Sequence, residues 1–172
     1  MDKTYSDFFY QATGNKPFPY QAAFQQRTIT PIANLEAPTG AGKTETIVCD
    51  WLYAVLSNQP NTPSRLVITS PLRTLVEQTH QRIQAIVKRV DPELSIGVYL
   101  MMGGAVNNEW EIDISQKAIL IGTQDQILSR QLNRGYCLSR AKYPMHFAAL
   151  NNDCRIAVDE TQLQGVGYRT AV

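Results

Sequence analysis

The stretch that most narrows the possible folds is APTGAGKTET, Ala37 to Thr46. An apolar run, Ile32-Ala33-Asn34-Leu35, leads into it and a helical pattern leaves it, so the order strand, glycine turn, helix is expected. Gly40 and Gly42 let the backbone curl until successive N–H groups face one concavity, where phosphate oxygens fit. The helix opening at Lys43 adds its positive dipole end and its unpaired N–H groups. Thr39, Gly40, Ala41, Gly42, Lys43, Thr44 and Glu45 are therefore the candidate nucleotide-binding residues. Lys43 brings an ammonium to the outer phosphates, and the Thr44 hydroxyl suits magnesium. The strict pattern G-x-x-x-x-G-K-[ST] begins with glycine, and Ala37 stands there instead. The bland alternative, a glycine turn capping an ordinary helix, is disfavoured by the flanking strand and helix patterns. A nucleoside-triphosphate site is the reading.

Composition limits what else the chain can be. At 172 residues it suits one domain, burying roughly 70% of its unfolded surface. A net charge of +1 supplies no global basic field, so nucleic acid would need a local patch. No apolar run approaches a membrane span and the N-terminus, MDKTYSDFF, is no signal peptide, so a cytoplasmic protein without a membrane partner is expected. The three cysteines, Cys49, Cys137 and Cys154, are odd in number and widely spaced. That pattern fits neither a disulfide framework nor a zinc knuckle.

Before the glycine turn, Thr4 to Asp7 forms a capping box. Tyr5, Phe8, Phe9 and Ala12 make an apolar stripe that Gly14 ends. In Asn15 to Gln21, Pro17 and Pro19 stiffen a loop presenting Phe18 and Tyr20, and the Gln21 amide can pair with adenine bidentately. Tyr20 and Gln21 join the nucleotide candidates, ATP being the expected nucleotide, though a packing role for the aromatics is open.

After it, Ile47, Val48, Trp51, Leu52 and Val55 recur at helical spacing. Short apolar runs at Arg65–Thr69, Ile96–Met101, Ala118–Ile121 and Arg155–Val158 read as buried parallel strands. Between the first two, Leu75, Val76, Ile83, Ile86, Val87 and Val90 form a helical face stopped by Asp91-Pro92. Ligands gather at the C-terminal ends of such strands. That edge holds Ser70, Pro71 and Arg73, then Gly103 and Gly104, then Gly122, Thr123 and Gln124, the candidate nucleic-acid residues. Trp110 is left unassigned. Arg130, Arg134, Arg140 and Lys142, interleaved with Tyr136 and Tyr143, suit a single strand, with a solvated helical hairpin equally open. Asp159 and Glu160 end the last strand. Asp159 can hold magnesium through water, and Glu160 can orient or deprotonate an attacking water. Lys43, Asp159 and Glu160 are thus the catalytic candidates, with Thr44 and Asp159 as metal ligands.

These pieces resemble superfamily-two helicases: APTGAGKT their motif I, PFPYQ their adenine-reading Q motif, SPLRT and the Gly-Thr pair their strand-gripping motifs. The wider set, above all SRAKYPMHFAALNNDCRIAVDETQLQG, is similar to the CRISPR-associated helicase–nuclease of type I systems, with DETQ pointing to the type I-G (formerly I-U) branch. Gln162 stands where most relatives carry histidine or aspartate. The resemblance implies an α/β fold, a RecA-like P-loop NTPase lobe whose mainly parallel sheet is flanked by helices and is incomplete at the C-terminus. It divides the chain into an N-terminal segment, 1–30, and a first RecA-like lobe, 31–172. It implies ATP and Mg2+ as cofactors and single-stranded DNA and a guide-RNA surveillance complex as partners. A second RecA-like lobe and an HD nuclease are expected to complete the enzyme, and this lobe alone is expected to hydrolyse ATP barely, acting otherwise as a binding fragment.

Overall fold

The computed structural model describes residues 4–27, 32–93, 95–103, 105–106, 109–136 and 138–163. Two compact units divide the chain: Met1–Thr62 with Ala85–Glu93, and Pro63–Gln84 with Leu94–Val172. The division after Thr62 differs from the boundary at 30/31 expected from the motifs, because the helix that follows the phosphate loop packs with the N-terminal helices.

That first unit holds α1 (Tyr5–Thr13), α2 (Pro19–Gln26) and α3 (Lys43–Leu56). The Thr4 hydroxyl accepts the Asp7 N–H at 3.3 Å, and Gly14, at φ 81°, sends its N–H to the Tyr10 carbonyl. Both ends of α1 therefore carry the caps that its sequence announces. The α1 stripe of Tyr5, Phe8, Phe9 and Ala12 is buried, and the rings of Tyr5 and Phe8 lie 5.3 and 5.4 Å from Tyr53 of α3. On α3, Val48, Cys49, Trp51 and Leu52 are completely buried.

Two local expectations are corrected here. Residues 19–21 are not a stiff loop but the first turn of α2: Pro19 occupies a first-turn position, where its missing N–H costs nothing. The run Ile32–Leu35 forms no strand. A strand exists only where a neighbour completes its ladder, and no strand of the sheet pairs with this segment.

The second unit is built on a five-stranded sheet in the order β3-β2-β4-β1-β5, with β1 (Arg65–Ser70), β2 (Gly97–Met102), β3 (Ala105–Val106), β4 (Ala118–Thr123) and β5 (Cys154–Val158). Four strands run parallel and β3 pairs antiparallel with β2. Every residue of β1 is buried, the signature of a parallel strand covered on both faces. Register aligns Ser70 with Thr123, Thr69 with Val158 and Met101 with Gly122, so the C-terminal ends of four strands share one edge. At the opposite edge the buried Arg65 guanidinium donates to the carbonyls of Ala149, Ile114 and Asn152, pinning the strand starts. Helix α4 (Arg73–Val90) follows β1, α5 (Gln124–Gln131) follows β4, and α6 (Tyr143–Asn151) precedes β5. The fold is the α/β, helicase-like lobe that the motifs imply. Among the described residues no helix is long and apolar enough to cross a membrane.

Candidate nucleotide and nucleic-acid site

The phosphate loop has the backbone that its glycines permit. Gly40 and Gly42 sit at φ 78° and 83°, where L side chains are strained. A Cβ on Gly40 would meet nothing within 4 Å, so that strain alone keeps the position small. Gly42 is the N-cap of the 14-residue α3 and offers no side-chain cap, leaving the N–H groups of Lys43 and Thr44 without intrahelical acceptors. The Lys43 ammonium donates to the carbonyls of Ala37 at 2.9 Å and Pro38 at 3.3 Å, folded onto its own loop. Thr39 and Gly40 are exposed, while Ala41, Gly42, Lys43, Thr44 and Glu45 are half-buried. A concave run of N–H groups with one ammonium and one hydroxyl fits a magnesium-bound triphosphate. Among the described residues no three His, Cys, Asp or Glu side chains gather to hold a metal. A magnesium ion here would depend on phosphates and waters, its usual habit.

The amide assigned to adenine is already engaged. Gln21 is 2% exposed; its Nε2 donates to the Gly42 carbonyl at 3.1 Å and the Thr46 hydroxyl at 3.0 Å, and its Oε1 accepts the Phe18 N–H at 2.8 Å. The neighbouring Tyr20 hydroxyl donates to the Ala41 carbonyl. Proline opening a helix two residues before a glutamine is a capping pattern. It is the signal from which this inward role could have been read.

The acidic pair closes β5. The Asp159 N–H donates to the Thr69 carbonyl at 2.9 Å, and the Glu160 N–H to the Asp159 carboxylate at 3.0 Å. Glu160 has φ 50°, a left-handed turn that few residues other than glycine adopt. The Gln162 amide donates to the Glu160 carboxylate, so the departure from the usual histidine or aspartate has a local partner.

The strand-end candidates cluster, with corrections. A Cβ on Gly103 would lie 2.8 Å from the Arg73 guanidinium, which therefore crosses over that glycine. Arg73 is exposed, and Pro71, Thr123 and Gln124 are half-buried beside it. Ser70 is 1% exposed, its hydroxyl buried, and Gly122 is locked in the ladder between Thr69 and Met101. Neither is open to a strand passing over that edge. Gly104 lies outside the described residues. Of the basic-aromatic stretch, Arg134, Tyr136 and Arg140 are exposed, but Arg130 is buried and donates to the Gln126 carbonyl at 2.7 Å.

Sequence reasoning left one cluster unread. Trp110 stands edge-on to His146, ring centroids 4.7 Å apart, and His146 Nε2 meets the Glu111 carboxylate at 2.9 Å. Lys142, expected on a nucleic-acid face, pairs with the same carboxylate at 2.5 Å. Burial holds the His146 imidazole below its ordinary pKa, with Glu111 opposing. Burial pushes the Cys49 thiol up to about 12 and raises that of Cys154 as well.

Residues 21–161, most of the chain and all of the strand-end motifs, match the family described as DEAD/DEAH box helicase. The chain belongs to that family. Its members are ATP-dependent helicases. Similarity also extends to the ATP-dependent RNA helicase DBP10 of Meyerozyma guilliermondii, 24% identical over 143 residues, 80% of this chain and 15% of that protein. This DEAD/DEAH box lobe thus spans a small part of the curated relative's length.

Proposed function

We propose that the chain is the ATP-binding lobe of an ATP-dependent translocase on single-stranded DNA, serving CRISPR type I interference in the cytoplasm. A guide-RNA surveillance complex, a second RecA-like lobe and an HD nuclease are its proposed partners. The observation that carries the nucleotide half is the pair of left-handed glycines, Gly40 and Gly42, delivering Lys43 and Thr44 at the start of α3. Lys43 neutralises the outer phosphates, Thr44 and Asp159 are the proposed magnesium ligands, and Glu160 orients the attacking water; the family's motif order supports this division of labour. When bound, magnesium supplies charge neutralisation at the transferred phosphoryl group. Arg73, Thr123 and Gln124 are proposed to grip sugar-phosphate, a contact that positions a strand without reading it.

DNA is supported by the block from Ser139 to Gly165, which resembles the CRISPR-associated enzymes. RNA is the second reading, favoured by the relative's name. Fluorescence anisotropy with DNA and RNA oligonucleotides of one sequence, with ATP and magnesium present, separates them. Tighter binding to DNA is expected; equal or tighter binding to RNA overturns the DNA assignment.

A further inference from the structure

The sheet has a second edge, at the strand starts, and the helices that end there present a surface of their own. Arg65 opens β1 and donates to the carbonyls of Ala149 and Asn152, so α6 ends where the strands begin. The last turn of α5 is stitched to it: Gln131 Nε2 donates to the Leu150 carbonyl and Asn151 Nδ2 to the Gln131 carbonyl, each at 3.1 Å. The same Asn151 amide donates to the Phe147 carbonyl at 2.8 Å. Leu132, at the C-terminal cap of α5, and Phe147 therefore flank one seam.

That seam is apolar and open. Leu132 is 54% exposed, Phe147 44% and Tyr136, in the loop after α5, 59%. Pro144 and Ala148 are exposed with Phe147, one stripe at helical spacing, while Ala149 and Leu150 on the other side of α6 join the core. Large apolar side chains gathered on an outward face mark an interaction surface.

Its charge has one sign. Between Asp125 and Asp153 the sequence has no acidic residue, and its bases are Arg130, Arg134, Arg140 and Lys142. Arg130 is buried against Gln126 and Lys142 is paired with Glu111, so Arg134 and Arg140 are the exposed pair. The acids bordering the edge are engaged locally, Asp113 with Ser115 and Asp153 with Ser64. Two arginines around an apolar seam complement an acidic partner with apolar side chains. A second copy would set each arginine against its own kind. A nucleic acid would gain two phosphate contacts, and Leu132, Pro144 and Ala148 offer no π-face to a base. The seam is also at the opposite edge from Arg73, Thr123 and Gln124.

We propose that the α5–α6 seam is a docking surface for an acidic amphipathic helix of another protein, its apolar row on Leu132 and Phe147 and its carboxylates toward Arg134 and Arg140. Helices that bind in this way place apolar anchors at spacings of three and four residues.

Fluorescence anisotropy with two labelled model peptides tests it. Both have about 18 residues, enough to hold a helix, and one apolar row; one carries glutamate at every polar position, the other lysine. The glutamate peptide is expected to bind at least about tenfold more tightly than the lysine peptide. Phe147→Ser is expected to weaken it about tenfold. Arg134→Glu with Arg140→Glu is expected to do the same at low salt and less at high salt. All three positions are exposed, and should Phe147→Ser fail to fold, the arginine pair decides. Absence of glutamate-peptide binding, equal binding of the lysine peptide, or affinity unchanged in the arginine variant overturns the proposal. So does a thymidine oligonucleotide that loses affinity in the arginine variant while the glutamate peptide does not bind, which assigns the seam to nucleic acid. Self-association of the wild type that Phe147→Ser abolishes overturns it in favour of a second copy.

Discussion

The Gln21 amide donates to the Thr46 hydroxyl at 3.0 Å, joining the first turn of α2 to the first turn of α3. Thr46 is fully buried, and its hydroxyl passes a hydrogen bond on to the Gly42 carbonyl at 2.8 Å. One hydroxyl thereby accepts from the clasp and donates to the loop. Thr46→Val preserves shape and strands a buried amide N–H, a loss of about 1–3 kcal/mol. Urea denaturation is expected to show that drop for Thr46→Val and little of it for Thr46→Ser, which keeps the hydroxyl. Equal midpoints for wild type and Thr46→Val would remove the clasp from the stability of this unit.

Lys43 supplies the one side-chain cation of the loop sequence. Lys43→Ala is expected to abolish detectable ATP binding by calorimetry, because no other side chain of the APTGAGKTET stretch offers charge to the outer phosphates. Asp159→Ala acts differently: affinity in EDTA is retained while the gain on adding magnesium is lost. An Asp159→Ala protein that still gains affinity with magnesium would take Asp159 out of the metal site.

How much of this could be read beforehand depended on how local each cause is. The ends of α1 were legible because Thr4, Asp7 and Gly14 act within one turn of chain. The parallel strands were legible because β1 and β4 are buried on both faces and must be continuously apolar. Ile32–Leu35 is equally apolar but forms no ladder, since strand formation is a property of two segments and four residues cannot announce a partner. Residue type alone suggested what Ser70, Gly122 and Arg130 could touch. Their burial is decided by register and by how α5 packs, neither of which composition reveals. Gln21 shows the same gap: its chemistry was visible, but its direction follows from where Pro19 starts a helix.

Acidification should destabilise the fold through its histidines. Burial lowers the native pKa of His146 below 6.5, Glu111 only partly offsetting this, and desolvation lowers His80 likewise. The unfolded chain takes up a proton as pH falls through that value while the native state does not. Stability is therefore complete above the unfolded pKa and is lost as pH drops toward the native one. Asp113 and Asp153, held low by Ser115 and Ser64, lose their contributions only at more acidic pH, below the ordinary carboxylate value. The melting temperature is expected to fall between about pH 7.5 and pH 5.5, and His146→Gln, which can still donate to Glu111, is expected to flatten that slope to the His80 remainder. A slope unchanged by the substitution would show that the Trp110–His146–Glu111 cluster does not couple protons to folding.

Two glycines at the shared strand edge separate packing from nucleic-acid grip. A Cβ on Gly122 would lie 2.4 Å from the Met101 carbonyl oxygen, a backbone atom fixed by the β2–β4 ladder. Something rigid must shift, and overpacking of this kind costs about 1–3 kcal/mol. A Cβ on Gly103 would meet Arg73 at 2.8 Å, but there the obstacle is the tip of a flexible, exposed side chain that can swing aside. Gly103→Ala is thus expected to stay within about 0.5 kcal/mol of wild type in urea, while displacing the guanidinium from its place. If Arg73 grips a phosphate, Gly103→Ala should weaken single-stranded DNA binding in the same sense as Arg73→Ala. Each variant should also reduce the salt dependence by about 0.7 in the logarithmic slope, the value of one phosphate contact on a single strand. Anisotropy titrations across a series of salt concentrations read this directly. A wild-type slope in both variants would return Arg73 to the role of a solvated surface charge, and a Gly122→Ala protein as stable as wild type would contradict the close β2–β4 register.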